Sequence, residues 1–183
     1  MEFRLTYRGP LKGNNAKVED KQRLRRWFHL QLKQLWSQEP LKSREDILAK
    51  QDVTASSVIF EHAGFKFAPL ITERLFLHAE LEVLLLRPEQ KGFILTGGGD
   101  IDNRLKTLLD SLRMPRESQE IPKDDKPTED EKLFFCLLED DSLVTSVTVS
   151  ADQLLEPIES GHVSAIIKVK TVKTRDTWTN SGL

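Results

Sequence analysis

Residues 75–112 read LFLHAELEVLLLRPEQKGFILTGGGDIDNRLKTLLDSL, and this segment indicates the architecture of the chain. Its first part places apolar residues at the odd positions from 77 to 85 and polar or longer residues between them, which predicts a strand over 75–86. Its last part repeats leucines at helical spacing, which predicts a helix over 102–112. A long strand followed by an amphipathic helix favours a domain that combines sheet and helix.

The rest of the chain adds similar elements. We predict a first strand at 3–7, ending at Gly9-Pro10, and a helix that begins near Asp20 as its N-cap and ends before Pro40. Further predicted elements are a short helix in 41–52, a hairpin over 58–67, and strands at 133–138, 143–149 and 163–169. We therefore expect one α+β domain over 1–183, with a small mixed β-sheet packed against two or three helices.

Composition excludes several classes of protein. The 183 residues are 38% hydrophobic and 31% charged, which is too apolar for a disordered chain and too polar for a membrane protein. No apolar run approaches the roughly 20 residues of a membrane span, and the N-terminus lacks the apolar region of a secretory signal. A single cysteine, Cys136, excludes a disulfide framework and a multi-cysteine zinc site. We expect a cytoplasmic protein with no membrane partner.

Charge is distributed unevenly along the chain. The net charge of -2 combines +6 over residues 1–50, -11 over 51–159 and +3 over 160–183. This asymmetry is compatible with an anionic partner on one surface and a cation on another. Solvated faces of a small domain explain the same pattern equally well, so charge alone leaves both interpretations open.

The segment DIDNRLKTLLD, residues 100–110, carries the first candidate site. Asp102, Lys106 and Asp110 are spaced four residues apart and share one face of the predicted helix. Asp100 and Asp102 lie on one side of its extended entry, where the two carboxylates can converge. A Mg²⁺ ion relieves the repulsion between such carboxylates and binds phosphate oxygens as well. The alternative is structural: an aspartate that caps the helix, and an ordinary i,i+4 ion pair between Asp102 and Lys106.

A second acidic element, Glu139-Asp140-Asp141, lies between two predicted strands. A tight turn explains one of these residues, whereas three adjacent acids are costly unless they are solvated or share a cation. If this turn packs beside the start of the 102–112 helix, Asp141 completes a site with three carboxylates.

The two elements together resemble the RusA family of Holliday-junction resolvases. The matching pattern is Asp-x-Asp-Asn-x-x-Lys-x-x-x-Asp-x-Leu, followed by Asp-Asp-x-x-Val, and its residues here are Asp100, Asp102, Asn103, Lys106, Asp110, Leu112, Asp140, Asp141 and Val144. The loop GPLKGNN at 9–15 is similar to the family's loop that contains proline and asparagine.

The resemblance implies a small homodimeric endonuclease of α+β fold that uses Mg²⁺ or Mn²⁺ to cut four-way DNA junctions in recombination and repair. Asp100, Asp102 and Asp141 would be the metal-binding carboxylates, and Lys106 the catalytic lysine. Compared with typical members the chain is longer, with extra residues around 37–70 and 113–133, and it is slightly acidic where they are basic. Its composition predicts that the acidic, proline-broken segment 113–131 is exposed and mobile.

Two other functions remain open at this point. One is a catalytically inactive module that binds nucleic acid or a protein partner on the same fold. The other is a nuclease that acts on flapped, otherwise branched or RNA-containing substrates. The acidic centre of the chain motivates both, because duplex binding depends on neutralising phosphates.

Overall fold

The computed structural model describes residues 1–13, 15–49, 57–88, 101–157, 159 and 161–183. Two α-helices run over these residues, α1 at Val18–Trp36 and α2 at Ile101–Leu112, together with short 3₁₀ segments. The strands are β1 (Glu2–Pro10), β2 (Phe60–His62), β3 (Phe65–Ile71), β4 (Leu77–Arg87), β5 (Phe134–Leu138), β6 (Val144–Gln153) and β7 (His162–Lys173).

The strands form two mixed sheets. One contains four strands in the order β1-β7-β4-β6, and the other contains β2-β3-β5. In the first sheet β4 is antiparallel to β7 and parallel to β6, and in the second β3 is parallel to β5. The α+β class is therefore confirmed, although the strands are divided between two sheets and do not form the single sheet that we expected.

Strand β4 lies inside the larger sheet, and the burial of its side chains follows the alternation of apolar residues that predicted the strand. The apolar face, from Leu77 to Leu85 at odd positions, is buried, while the outward side chains between them are more accessible. Helix α2 also has the predicted bounds to within one residue, and Leu108 and Leu112 are buried in the same core. The apolar faces of β4 and α2 thus belong to one buried core, and their removal from water stabilises the fold.

The start of α1 differs from the prediction. Lys17 is the N-cap, and Asp20 lies three residues inside the helix, where its carboxylate accepts a hydrogen bond of 3.1 Å from the Lys17 backbone N–H. Asp20 therefore caps the helix from within, as the second half of a capping box. The predicted short helix at 41–52 is a 3₁₀ helix over Leu41–Leu48.

Residues 113–131 contact α1 through several side chains, so the predicted exposure of this segment holds only in part, and its mobility stays a prediction. The Arg26 guanidinium lies 2.7 Å from a Glu131 carboxylate oxygen and 2.8 Å from one of Asp125. The Arg25 guanidinium is buried and donates to the Glu120 carbonyl at 2.8 Å. The acids that suggested disorder are thus partners of arginines on α1.

His29 is the buried histidine that joins α1 to the smaller sheet. Its Nδ1 accepts a hydrogen bond of 2.9 Å from the Phe135 backbone N–H, and its ring stacks on Phe134 at 4.7 Å between centroids. Burial lowers the pKa of His29, although the Glu131 carboxylate opposes the shift. The folded protein therefore holds this imidazole in its neutral form.

We expect the free energy of unfolding to fall as the pH decreases below about 6.5. In the unfolded chain His29 titrates near its ordinary pKa of roughly 6.5, so the unfolded state binds more protons between that value and the lower folded pKa. Urea unfolding between pH 7.5 and 5 measures this dependence. The His29→Gln variant, which keeps an acceptor for Phe135, should show a flatter profile. An equally steep profile in the variant would assign the effect to other groups.

No helix among the described residues is long and apolar enough to cross a membrane.

Candidate functional site

Helix α2 runs from the residue that follows β1 to the end of β5. Near its start, the buried Arg104 guanidinium donates to the carbonyl of Leu11, just after the end of β1. Beyond its end, the Met114 backbone N–H donates to the carbonyl of Leu138 at 2.9 Å, where β5 ends. These two contacts determine which side chains each end of the helix can approach.

Asp102 and Lys106 occupy the first two turns of α2 and are exposed to solvent. No hydrogen bond or ion pair joins either side chain to another residue in the described part of the chain, so the ordinary i,i+4 pair between them is not formed. Asp102 is also the second helical residue and not the N-cap. Asp100, the other carboxylate that we predicted here, lies outside the described residues.

Asp140 and Asp141 lie at the beginning of β6, and both are paired with Arg116. The Arg116 guanidinium contacts a carboxylate oxygen of Asp140 and lies 2.5 Å from one of Asp141. The Asp140 carboxylate also accepts a hydrogen bond of 2.9 Å from the Ser142 backbone N–H. Partial burial alone would raise the pKa of Asp140, but the interactions with Ser142 and Arg116 lower it to about 2.

The two acidic elements lie at opposite ends of α2. Asp102 is in the first turn, whereas Asp141 is held by Arg116, four residues beyond the last turn. At 1.5 Å per residue, the helix separates its ends by roughly 15 Å. The topology requires this separation, because α2 connects the end of β4 to elements that lead to the start of a parallel neighbour, β6. One chain therefore does not bring Asp141 to the start of α2.

Asp110, the third residue of the predicted helix face, has a structural partner. Its carboxylate lies 2.6 Å from the Lys21 ammonium group of α1, and both side chains are mostly buried. This ion pair joins the two helices. It leaves Asp102 and Lys106 as the accessible members of that face.

Within the described ranges, no group of three or more histidine, cysteine, aspartate or glutamate side chains converges as a metal site would require. Asp100 stands outside those ranges, so the predicted set of Asp100, Asp102 and Asp141 stays a prediction. Cys136 is buried, and burial raises the pKa of its thiol to about 12, which agrees with its interpretation as a small apolar residue.

Two features of this region were not found from the sequence. Arg116 lies in the acidic segment 113–131, which we treated as a whole in the sequence analysis. No sequence motif indicated that Arg116 pairs with Asp140 and Asp141. Trp178 is 95% exposed, close in sequence to Arg175, whose guanidinium lies over the Phe76 ring at 5.7 Å. The Trp27 indole N–H donates to the Thr6 carbonyl at 2.7 Å, and Trp36 is buried in the core.

We expect the Arg116→Met variant to raise the pKa of Asp140 towards its ordinary value, because the variant removes the paired guanidinium and keeps similar bulk. Carbonyl-detected NMR titration of the carboxylate measures the shift. Arg44→Met is the matched control, since the hydrogen bond from Arg44 lowers the pKa of Asp46 elsewhere in the fold. Arg116→Met should leave the pKa of Asp46 unchanged, and Arg44→Met should leave the pKa of Asp140 unchanged. An unchanged Asp140 would show that Ser142 alone accounts for the low value.

The chain was compared with protein-family models, with curated proteins and with solved structures, and none of them matches it.

Proposed function

We propose that this protein is a divalent-metal-dependent endonuclease that cuts branched DNA, with the four-way junction as its substrate in recombination and repair. The observation that carries the proposal is the pair Asp102 and Lys106, exposed and without a partner among the described residues at the start of α2. Charged side chains left accessible on an otherwise paired helix are available to a ligand. Their positions in the RusA-like pattern indicate a phosphodiester as that ligand.

The donor set suits a hard cation. Carboxylate oxygens are the ligands that Mg²⁺ and Mn²⁺ prefer, and Asp100, Asp102 and Asp141 would hold the ion. A bound ion would compensate phosphate charge and lower the pKa of a water ligand. Lys106, one turn after Asp102, would stabilise the negative charge that develops on the phosphorus-bound oxygens during hydrolysis. The glycines at 97–99 precede this site and permit close approach of a ligand backbone.

A homodimer reconciles this donor set with the fold. Because α2 separates Asp102 from Asp141 within one chain, Asp141 reaches the ion only if a second copy supplies it. A twofold dimer would then contain two such sites, each with Asp100, Asp102 and Lys106 from one copy and Asp141 from the other. Arg116 would compensate the charge of Asp140 and Asp141 until the ion binds.

One observation favours a second candidate, the catalytically inactive binding module. Arg116 already compensates the carboxylates of Asp140 and Asp141, so that neither needs a cation in the folded chain. Such a module would bind a junction without cutting it.

Cleavage of labelled DNA tests the proposal. A four-way junction, a flap, a linear duplex and an RNA-containing branch are incubated with the protein in Mg²⁺, Mn²⁺ or EDTA. We expect nicks in the junction with either metal and none in EDTA. Binding without cutting in both metals would establish the inactive module, and a clear preference for another substrate would identify a different nuclease.

A further inference from the structure

Strand β6 forms an open edge of the larger sheet. Its ten residues, Val144–Gln153, pair with β4 on one side, and no strand in the described part of the chain pairs with the other side. Residues 145–148 are all exposed, and Val147, which lies opposite Leu81 in the register, keeps 39% of its surface accessible. The backbone groups on the outer side of β6 are therefore available for hydrogen bonds with another strand.

The opposite edge of the same sheet is closed. On β1, the Thr6 backbone N–H donates to the Gln31 amide oxygen at 2.8 Å, and the Thr6 carbonyl accepts from Gln31 and Trp27 of α1, each at 2.7 Å. Arginines at positions 4 and 8 and a proline at position 10 add further barriers to strand pairing. The fold thus protects β1 and leaves β6 open.

Most of β6 lacks the usual protection of an edge strand, and its one charged residue, Asp152, lies near its end. Residues 144–151 read VTSVTVSA, without charge or proline, and half of the ten residues of β6 are valine or threonine, which have high β-propensity. An edge strand with eight consecutive uncharged residues would favour uncontrolled association unless one specific partner covers it.

We propose that β6 pairs antiparallel with β6 of a second copy of this chain, which joins the two larger sheets into one continuous sheet of eight strands. Hydrogen-bonded and non-hydrogen-bonded residue pairs alternate along antiparallel strands. A twofold axis that relates two identical strands must therefore lie midway between one residue and the same residue of the other copy. Centring on Thr148 pairs nine residues, from Val144 to Asp152. Val147 then lies opposite Val149 of the other copy, and no like charges meet. Assembly stops at two copies because both remaining edges are β1.

A second copy of the chain is a better partner for β6 than a strand of another protein, for a reason that rests on the proposed function. Antiparallel pairing places the start of β6 in one copy beside the end of β6 in the other. Asp141 precedes that start, whereas α2 begins beside the end of β1, which lies at the same end of the strands as the end of β6, with β7 and β4 between them. The acidic element of each copy is thereby moved towards the Asp102 end of the other, which a strand from an unrelated protein would not achieve.

Light scattering coupled to size exclusion tests the pairing. We expect wild type to have twice the chain mass of 21.0 kDa, and the Thr148→Lys and Thr148→Glu variants to be monomers, because like charges then face each other across the axis. A 1:1 mixture of the two variants should recover the dimer. This recovery separates loss of pairing from misfolding, and unchanged far-UV circular dichroism of each variant provides the second check.

Any of three results would overturn the pairing: a monomeric wild type, dimers that persist in both charged variants, or a foreign protein needed for assembly. Substitution of Thr174, exposed just after β7, by lysine is the control and should leave the dimer intact. The outcomes for function are separate. If the charged variants are monomers but wild type shows no nuclease activity, the pairing stands and the proposed function fails. If wild type cuts DNA in a metal-dependent way but the dimer persists in both charged variants, the proposed function stands and the pairing fails.

Discussion

Asp102→Asn and Asp141→Asn should each reduce Mg²⁺-dependent cutting of a four-way junction by a factor on the order of 10³, the scale lost when one charge-stabilising group leaves an active site. Each substitution removes a negative ligand at nearly constant size. Neither should affect folding strongly, because Asp102 has no partner among the described residues and Asp141 is an exposed member of an ion pair. Initial rates of nicking measure the loss.

Mixing the two variants gives the sharper result. If each site combines Asp102 of one copy with Asp141 of the other, a mixed dimer contains one site with both carboxylates and one with neither. After subunit exchange half of the dimers are mixed, so about a quarter of the wild-type sites should be active. A site within one chain predicts no recovery at all. Asp130→Asn, which makes the same charge change on an exposed aspartate paired with Lys33, is the control and should keep full activity.

Arg25→Met should lower the free energy of unfolding by about 3 kcal/mol, the lower end of the range for breaking a buried, hydrogen-bonded charge pair. The side chain of Arg25 is fully buried, and it donates to the carbonyls of Glu120 at 2.8 Å and Asp110 at 3.2 Å. Burial lowers the pKa of this guanidinium, and the carboxylates of Glu120 and Asp110 oppose the shift only in part. Methionine fills the space but leaves those acceptors without a donor.

Thermal unfolding provides the measurement, and a shift of roughly 10 °C corresponds to that free energy in a domain of this size. Arg23→Met on the same helix is the matched control. Arg23 is half exposed, and its i,i+3 partner Asp20 keeps a second cation, Lys12, at 2.9 Å, so the loss of Arg23 should cost less than about 1 kcal/mol. Equal effects of the two substitutions would mean that the buried guanidinium does not hold residues 113–133 against α1.

Helices and strands with a strong periodicity of apolar residues could be predicted from the sequence. Contacts between residues that are far apart in the sequence could not. The strand β4 and the helix α2 follow from local repeats of apolar residues, which require only that one face be buried. The division of the strands into two sheets depends on which strands pair, and no local pattern encodes it. Likewise, the acids of 113–131 favour an exposed, mobile segment only while their contacts with Arg25 and Arg26 of α1 are unknown.

The candidate site shows the same division. The shared face of Asp102 and Lys106 follows from helical geometry, and the structure confirms that face and its exposure. The position of Arg116 beside Asp140 and Asp141 could not be predicted, since Arg116 and Asp140 are 24 residues apart in sequence. The contacts of Arg113 and Met114 with Leu138 bring the two segments together.

By itself, therefore, the sequence determined the α+β class, the helix that presents Asp102 and Lys106, and the position of the second acidic element before a strand. The tertiary structure decided how far apart the two acidic elements lie. Because β4 and β6 are parallel neighbours, the helix between them must run back from the ends of these strands towards their starts. The residues at the two ends of the helix therefore lie at opposite ends of the strands.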